Sequence, residues 1–159
     1  MSQNQEAPLL SGVQTVRSIR DTGYKSTDYA IAELIDNAVD AQAENVTVTI
    51  VEEPHKSGAR LTKRATEIWV VDDGVGMDPE LLNLALSFGG SGDYNNRENI
   101  GRFGMGLPQA SVSQCRKTQV WSWQKTQPEN AHHTALDLDL IESGNNTSLT
   151  VPWPTDLNS

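Results

Sequence analysis

The chain has a single cysteine, Cys115, in 159 residues. One thiol can build neither a disulfide framework nor a thiolate metal site. No apolar run approaches the ~20 residues that a membrane-spanning helix needs. The polar start Met1-Ser2-Gln3-Asn4-Gln5-Glu6 also lacks the charged-then-apolar form of a secretory signal. These absences predict a reducing, cytoplasmic address, where the sequons at Asn45, Asn145 and Asn146 go unglycosylated. Basic residues are few as well: 12 Lys and Arg stand against 21 Asp and Glu, for a net charge of -9. A broad nucleic-acid-gripping face needs clustered cations, so the charge does not support nucleic acid as a partner. The one basic run, Lys56, Arg60, Lys63 and Arg64, reads as a solvated loop with at most weak phosphate contact. What remains is a chain of the size of one globular domain, burying about two-thirds of its unfolded surface.

Apolar residues at helical spacing (Leu9, Val13, Val16, Ile19) predict a helix over 9–19, stopped by Asp21-Thr22-Gly23. A second helix should start at the N-cap candidates Ser26, Thr27 and Asp28 and run to about Gln42. Val46, Val48 and Ile50 alternate with Thr47 and Thr49 as in a half-buried strand, and a second strand is expected over 67–71. The polar stretch 52–65 between them reads as a long loop of a loose hairpin. Asp78 and Pro79 open a helix toward Phe88, and 89–99 should be mobile. A helix through Leu107, Ala110 and Val112 to Cys115 follows, then strands over 119–124 and 134–141. The tail 151–159, with two prolines, should not be a central strand. Helices and strands in mixed order with hairpins predict an α+β sandwich. The domain reading is an N-terminal helical extension over 1–22, one domain over 23–150 and a tail over 151–159.

Three segments carry chemistry. In the helix around Glu33, the side chains of Glu33, Asn37 and Asp40 share an arc of roughly 60°, opposite Ile31, Leu34, Ile35 and Ala38. Alone this is an ordinary amphipathic helix with an acidic outer face. Asn37, however, is a poor helix former set between two carboxylates. An amide oxygen can coordinate Mg²⁺, and a neighbouring Glu can take a proton from water. The second segment, Asp72-Asp73-Gly74-Val75-Gly76-Met77, follows an apolar strand. It is either a plain Asp-Gly turn or a carboxylate that accepts from an exocyclic amine while glycines let a flat ring lie on bare backbone. The third, Gly101-Arg102-Phe103-Gly104-Met105-Gly106, opens a helix whose free N–H groups would face an anion. No Gly-Lys pair exists for a Walker phosphate loop, and residues 104–109 lack the third glycine of a dinucleotide fingerprint. An adjacent pair, His132-His133, points its rings to opposite faces of a strand, with no third His or Cys nearby. Trp121 and Trp123 share a sheet face and suit packing.

In this order, Glu33-Leu34-Ile35-Asp36-Asn37-Ala38-Val39-Asp40-Ala41, the Asp72 to Met77 turn and Ile100 to Gly106 resemble the N box and two glycine boxes of the GHKL ATPases. That superfamily unites gyrase, the ninety-kilodalton heat-shock chaperone, histidine kinases and MutL. The resemblance covers about residues 24–123. In detail it is to microrchidia-type and related bacterial GHKL proteins, through Ser91-Gly92 and Gly106-Leu107-Pro108-Gln109-Ala110-Ser111.

The resemblance implies a Bergerat-type sandwich, helices layered on a mixed, mostly antiparallel sheet. It implies ATP and Mg²⁺ as cofactors. Glu33 would match the general base, Asn37 the Mg²⁺ ligand, Asp72 the carboxylate reading adenine and Asp40 a pocket wall. Gly74, Gly76 and Met77 would line the base pocket. Gly101, Arg102, Phe103, Gly104, Met105 and Gly106 would lie at the phosphates, and 88–99 would form an ATP lid. An ATP-dependent homodimer and a C-terminal transducer domain supplying a phosphate-sensing Lys are also implied. No good match exists here for the family's usual Thr strand, because Gly144 and Thr147 are separated by Asn145 and Asn146. The leading function is a slowly hydrolysing, nucleotide-driven switch, and the alternative is a non-hydrolysing nucleotide sensor. A histidine-kinase domain ranks last, since such kinases generally carry a Lys near the place of Asp40 and lack a base like Glu33.

Overall fold

The computed structural model describes residues 12–24, 26–86, 106–144 and 153–154. Helix α1 (Gly12–Thr22) buries Val16. Helix α2 (Thr27–Asp40) starts where the N-cap residues predicted, with an extended Ser26 before it. It ends in a Schellman arrangement: Gln42 N–H donates to the Val39 carbonyl at 2.9 Å and Ala43 N–H to the Ala38 carbonyl at 3.0 Å. Gln42 closes it in the left-handed region at φ 61°, a place usually taken by glycine.

Strands β1 (Val46–Ser57) and β2 (Arg60–Asp72) form an antiparallel hairpin running from the Val46–Asp72 pair to the Ser57–Arg60 pair. The hairpin was expected, but its strands reach much further than 45–51 and 67–71. The supposed loop is ladder, closed by a tight turn at Gly58 with φ 61°. The cause of the difference is burial: residues 52–60 are exposed on both faces, so no alternation marks them as strand. Pro54 sits opposite Lys63 within the ladder, which an edge strand tolerates because the missing N–H need not face a partner. The register shifts between Val51 and Glu52, a β-bulge.

Helix α3 (Pro79–Ala85) is capped by Asp78, whose side chain accepts from Leu81 N–H at 2.8 Å. Helix α4 (Gly106–Gln114) leads into β3 (Lys117–Ser122), which pairs antiparallel with β4 (His132–Asp137). The predicted strand over 134–141 stops at Asp137. That carboxylate instead caps the short helix α5 (Leu138–Glu142) by accepting from Asp139 and Leu140 N–H. The period changes there: Leu138 and Ile141, three apart, are buried, while Leu140 is exposed. Arg116 holds α5 from the other side, bonding Asp139 and Glu142. Strand β5 (Trp153–Pro154) joins β4 at the sheet edge, in keeping with its predicted non-central place.

The core gathers Val16, Leu86, Val112, Leu136, Leu138 and Ile141, with Leu107 and Val120 packed on it. Helices therefore cover one face of the β3-β4-β5 sheet, an α+β sandwich. Trp121 stacks on His133 at 4.4 Å and on Trp69 of β2 at 5.9 Å, which ties the hairpin to that sheet. No helix among the described residues is long and apolar enough to cross a membrane.

Candidate nucleotide site

Helix α2 packs along α4, and that contact decides which of its polar groups are held. Glu33 and Asn37, one turn apart, are half-buried, while Asp36 and Asp40 face solvent. One oxygen of Glu33 accepts from the Tyr24 hydroxyl at 3.0 Å. The other lies where a Cβ on Gly106 would stand: any side chain at position 106 would overlap it. The base candidate thus abuts the first residue of α4, at the end where helix N–H groups lack carbonyl partners and the dipole is positive. Pro108 within that first turn loses no helical bond by having no N–H. The Asn37 amide nitrogen is buried and finds no hydrogen-bond partner among the described residues. An amide's O and N exchange by a half-turn, so this orphaned end fits a Mg²⁺-facing oxygen. No group of three or more His, Cys, Asp or Glu among the described residues is placed to hold a metal. A cation at Asn37 would draw its other ligands from phosphate and water, as Mg²⁺ commonly does.

About 12 Å along the α2 axis from Glu33, the helix end meets the first glycine turn. Val75 N–H donates to the Ala41 carbonyl at 2.9 Å, and a Cβ on Gly74 would come within 2.8 Å of that same oxygen. Gly76 has φ 73°, and a Cβ there would run into the Trp123 carbonyl. Met77 N–H donates to Ser122 Oγ at 2.8 Å. These contacts press the turn between α2 and the end of β3. The two aspartates divide their roles. Asp73 accepts from Asn45 Nδ2 at 2.8 Å, Asn45 N–H at 2.9 Å and Glu44 N–H at 2.8 Å. The Asn45 side chain, then its backbone N–H, pulls the Asp73 carboxyl down to about 2. It is a clamp for the α2–β1 loop. Asp72, at the exposed end of β2, accepts from Gly74 N–H with Oδ1 at 2.9 Å.

Of the residues that sequence reasoning selected, Glu33 and Gly106 are brought into contact, and Asn37 stands one helical turn from Glu33. Asp40 and Asp72 are exposed at the C-terminal ends of α2 and β2. Gly101, Arg102, Phe103, Gly104 and Met105, with the lid over 88–99, lie outside the described residues. Tyr24, Asp73 and Ser122 also take part, and of these only Asp73 has a local sequence signal, the Asp-Asp doublet. The histidine pair behaves as strand geometry requires, with His133 stacked on Trp121 and His132 Nδ1 at 2.8 Å from the Asn130 carbonyl. An open recess of about 330 Å³ beside Glu53, His55 and Arg64 lies along the hairpin and shares no residue with this site.

A helix layer on an antiparallel sheet, with α2 carrying Glu33 against Gly106 and ending at the Gly74–Gly76 turn, agrees with the architecture of a GHKL-type domain. The chain belongs to the family described as histidine kinase-, DNA gyrase B-, and HSP90-like ATPase, whose family model matches residues 24–158. It is similar to Protein MICRORCHIDIA 6 of Arabidopsis thaliana, 35% identical over 91 residues, which are 57% of this chain and 13% of that protein. Protein MICRORCHIDIA 7 of the same plant is 33% identical over 93 residues, 57% of this chain and 12% of its own length. The chain therefore matches only about an eighth of the length of these relatives. Family membership points to ATP binding and, in general terms, to ATPase activity.

Proposed function

We propose that this domain binds ATP with Mg²⁺, hydrolyses it slowly and uses the cycle as a conformational or dimerisation switch. The observation that supports this reading most is the Glu33 carboxylate held against the first residue of α4, where position 106 has no side chain to block it. Helix N-termini favour phosphate oxygens, so Gly106, with Gly101, Arg102, Phe103, Gly104 and Met105, is assigned to the phosphates. Glu33 then accepts a proton from the attacking water. Asn37 would hold Mg²⁺ through its amide oxygen; when bound, the ion neutralises charge on the phosphates. Asp72 accepts from the adenine amine, Gly74, Gly76 and Met77 line the ring pocket, and Asp40 supplies its wall. A lid over 88–99 and a second copy of the chain complete the switch, and a transducer domain is its natural output.

The second reading, a sensor that binds without hydrolysing, would not need Glu33, and the presence and confinement of that carboxylate favour the ATPase. Calorimetric titration with Mg²⁺ and a non-hydrolysable ATP analogue, beside a phosphate-release assay, separates the two. Saturable, Mg²⁺-dependent binding with turnover is expected. Binding without turnover would select the sensor, and absence of binding would overturn both.

A further inference from the structure

We propose that Tyr24 is the positioning residue for Glu33 and that Gln114, at the far end of α4, holds Tyr24 in place. The inference rests on the reading of Glu33 as the base. A glutamate on a helix surface has several rotamers, and fixing one costs conformational entropy. Here one oxygen is held and the other left open to accept a proton: Oε2 accepts from the Tyr24 hydroxyl at 3.0 Å, while Oε1 lies close against Gly106 without a hydrogen bond from it. Tyr24 lies in the α1–α2 turn, where nothing helical restrains it. Its restraint comes from Gln114, which donates Nε2 to the Tyr24 carbonyl at 2.7 Å and accepts from Thr27 Oγ1 at 2.7 Å. One amide thus pins the residue carrying the hydroxyl and the first residue of the helix carrying the carboxylate.

The turn can approach α4 this closely because residue 23 is glycine: a Cβ there would lie 2.7 Å from the Ile19 carbonyl and 3.0 Å from Ser113 Cβ. Burial first, then the hydrogen bond and charge of Glu33, push the Tyr24 phenol upward, so it remains a donor through the neutral range. The result is a closed mechanical loop. Gln114 at one end of α4 sets Tyr24, Tyr24 sets Glu33, and Glu33 faces Gly106 at the other end of the same helix. A shift of α4 on phosphate binding would move both anchors of the carboxylate together.

The test is a double-mutant cycle in steady-state ATP hydrolysis, with binding of the non-hydrolysable analogue measured in parallel. Tyr24→Phe keeps the ring and removes only the donor. It should lower kcat about tenfold, the scale of one hydrogen bond to a charged group, with KM and analogue affinity unchanged within about twofold. Gln114→Met should lower kcat in the same direction. In the Glu33→Ala background, Tyr24→Phe should cause no further loss, because its effect passes through the carboxylate. Equal losses in both backgrounds would mean a merely structural role and would overturn the proposal. Unchanged kcat in Tyr24→Phe, with turnover lost in Glu33→Ala, would overturn the positioning role and leave the base standing. Full turnover in Glu33→Ala would remove the base and this inference with it.

Discussion

Replacing Gly106 by alanine tests the juxtaposition at the centre of the site, because the added methyl would occupy the place of a Glu33 carboxylate oxygen. The obstacle is the far end of a flexible side chain, so the carboxylate swings aside rather than the backbone giving way. Alanine lowers the entropy of the unfolded chain, worth about 0.4–1 kcal/mol, and an off-rotamer glutamate costs about 0.5–1.5 kcal/mol. The two nearly cancel. The thermal midpoint should therefore stay within about 4 °C of wild type, while turnover falls by the roughly 10²–10⁴-fold that accompanies loss of a general base. Gly76→Ala is the contrast. Its methyl would meet the Trp123 backbone carbonyl at φ 73°, and neither group can rotate away, so stability falls by about 1–3 kcal/mol. Circular-dichroism melts and phosphate release on the two variants decide the matter. Wild-type turnover in a folded Gly106→Ala protein would contradict a functional role for the Glu33–Gly106 contact, as would Gly106→Ala melting below Gly76→Ala.

Asp72→Asn should weaken adenine-nucleotide binding about ten- to a hundredfold by replacing a charged acceptor, equivalent to about 1.5–3 kcal/mol; unchanged affinity by calorimetry would remove Asp72 from the adenine pocket. Asp73 carries its charge into acid because Asn45 and Glu44 hold it. A depressed carboxyl contributes stability that is present above the unfolded value near 4 and lost as pH falls through about 2. The gap in thermal midpoint between wild type and Asp73→Ala should thus be steady above about pH 5 and close between pH 4 and 2; a gap independent of pH would contradict the clamp. Gln42→Gly relieves a left-handed residue at the end of α2 and should stabilise the fold by about 0.5–1 kcal/mol in chemical denaturation.

Which parts could be read from the sequence follows from where the signal lies. Helix α2 was legible because its apolar positions keep the 3.6 period and Ser26, Thr27 and Asp28 mark its start. The outer half of the hairpin was not, because strand pairing there is backbone hydrogen bonding beneath a uniformly polar, exposed surface. Alternating Leu136, Leu138 and Leu140 imitated a strand, and only the Asp137 cap turned the chain into α5. In the site, motif order pointed to Glu33, Asn37 and Asp72 because their neighbours in sequence belong to the same chemistry. Tyr24 sits in a turn with no period, and its partners Glu33 and Gln114 lie 9 and 90 residues away. Such a link exists only once α2 and α4 have packed.

The most direct test of the account is Glu33→Ala in protein that turns over ATP, with Mg²⁺-dependent analogue binding and phosphate release measured on the same preparation. Binding close to wild type is expected, with turnover reduced by roughly 10²–10⁴-fold. Undiminished hydrolysis with alanine at position 33 would contradict the base role and leave this carboxylate a structural partner of Tyr24 alone.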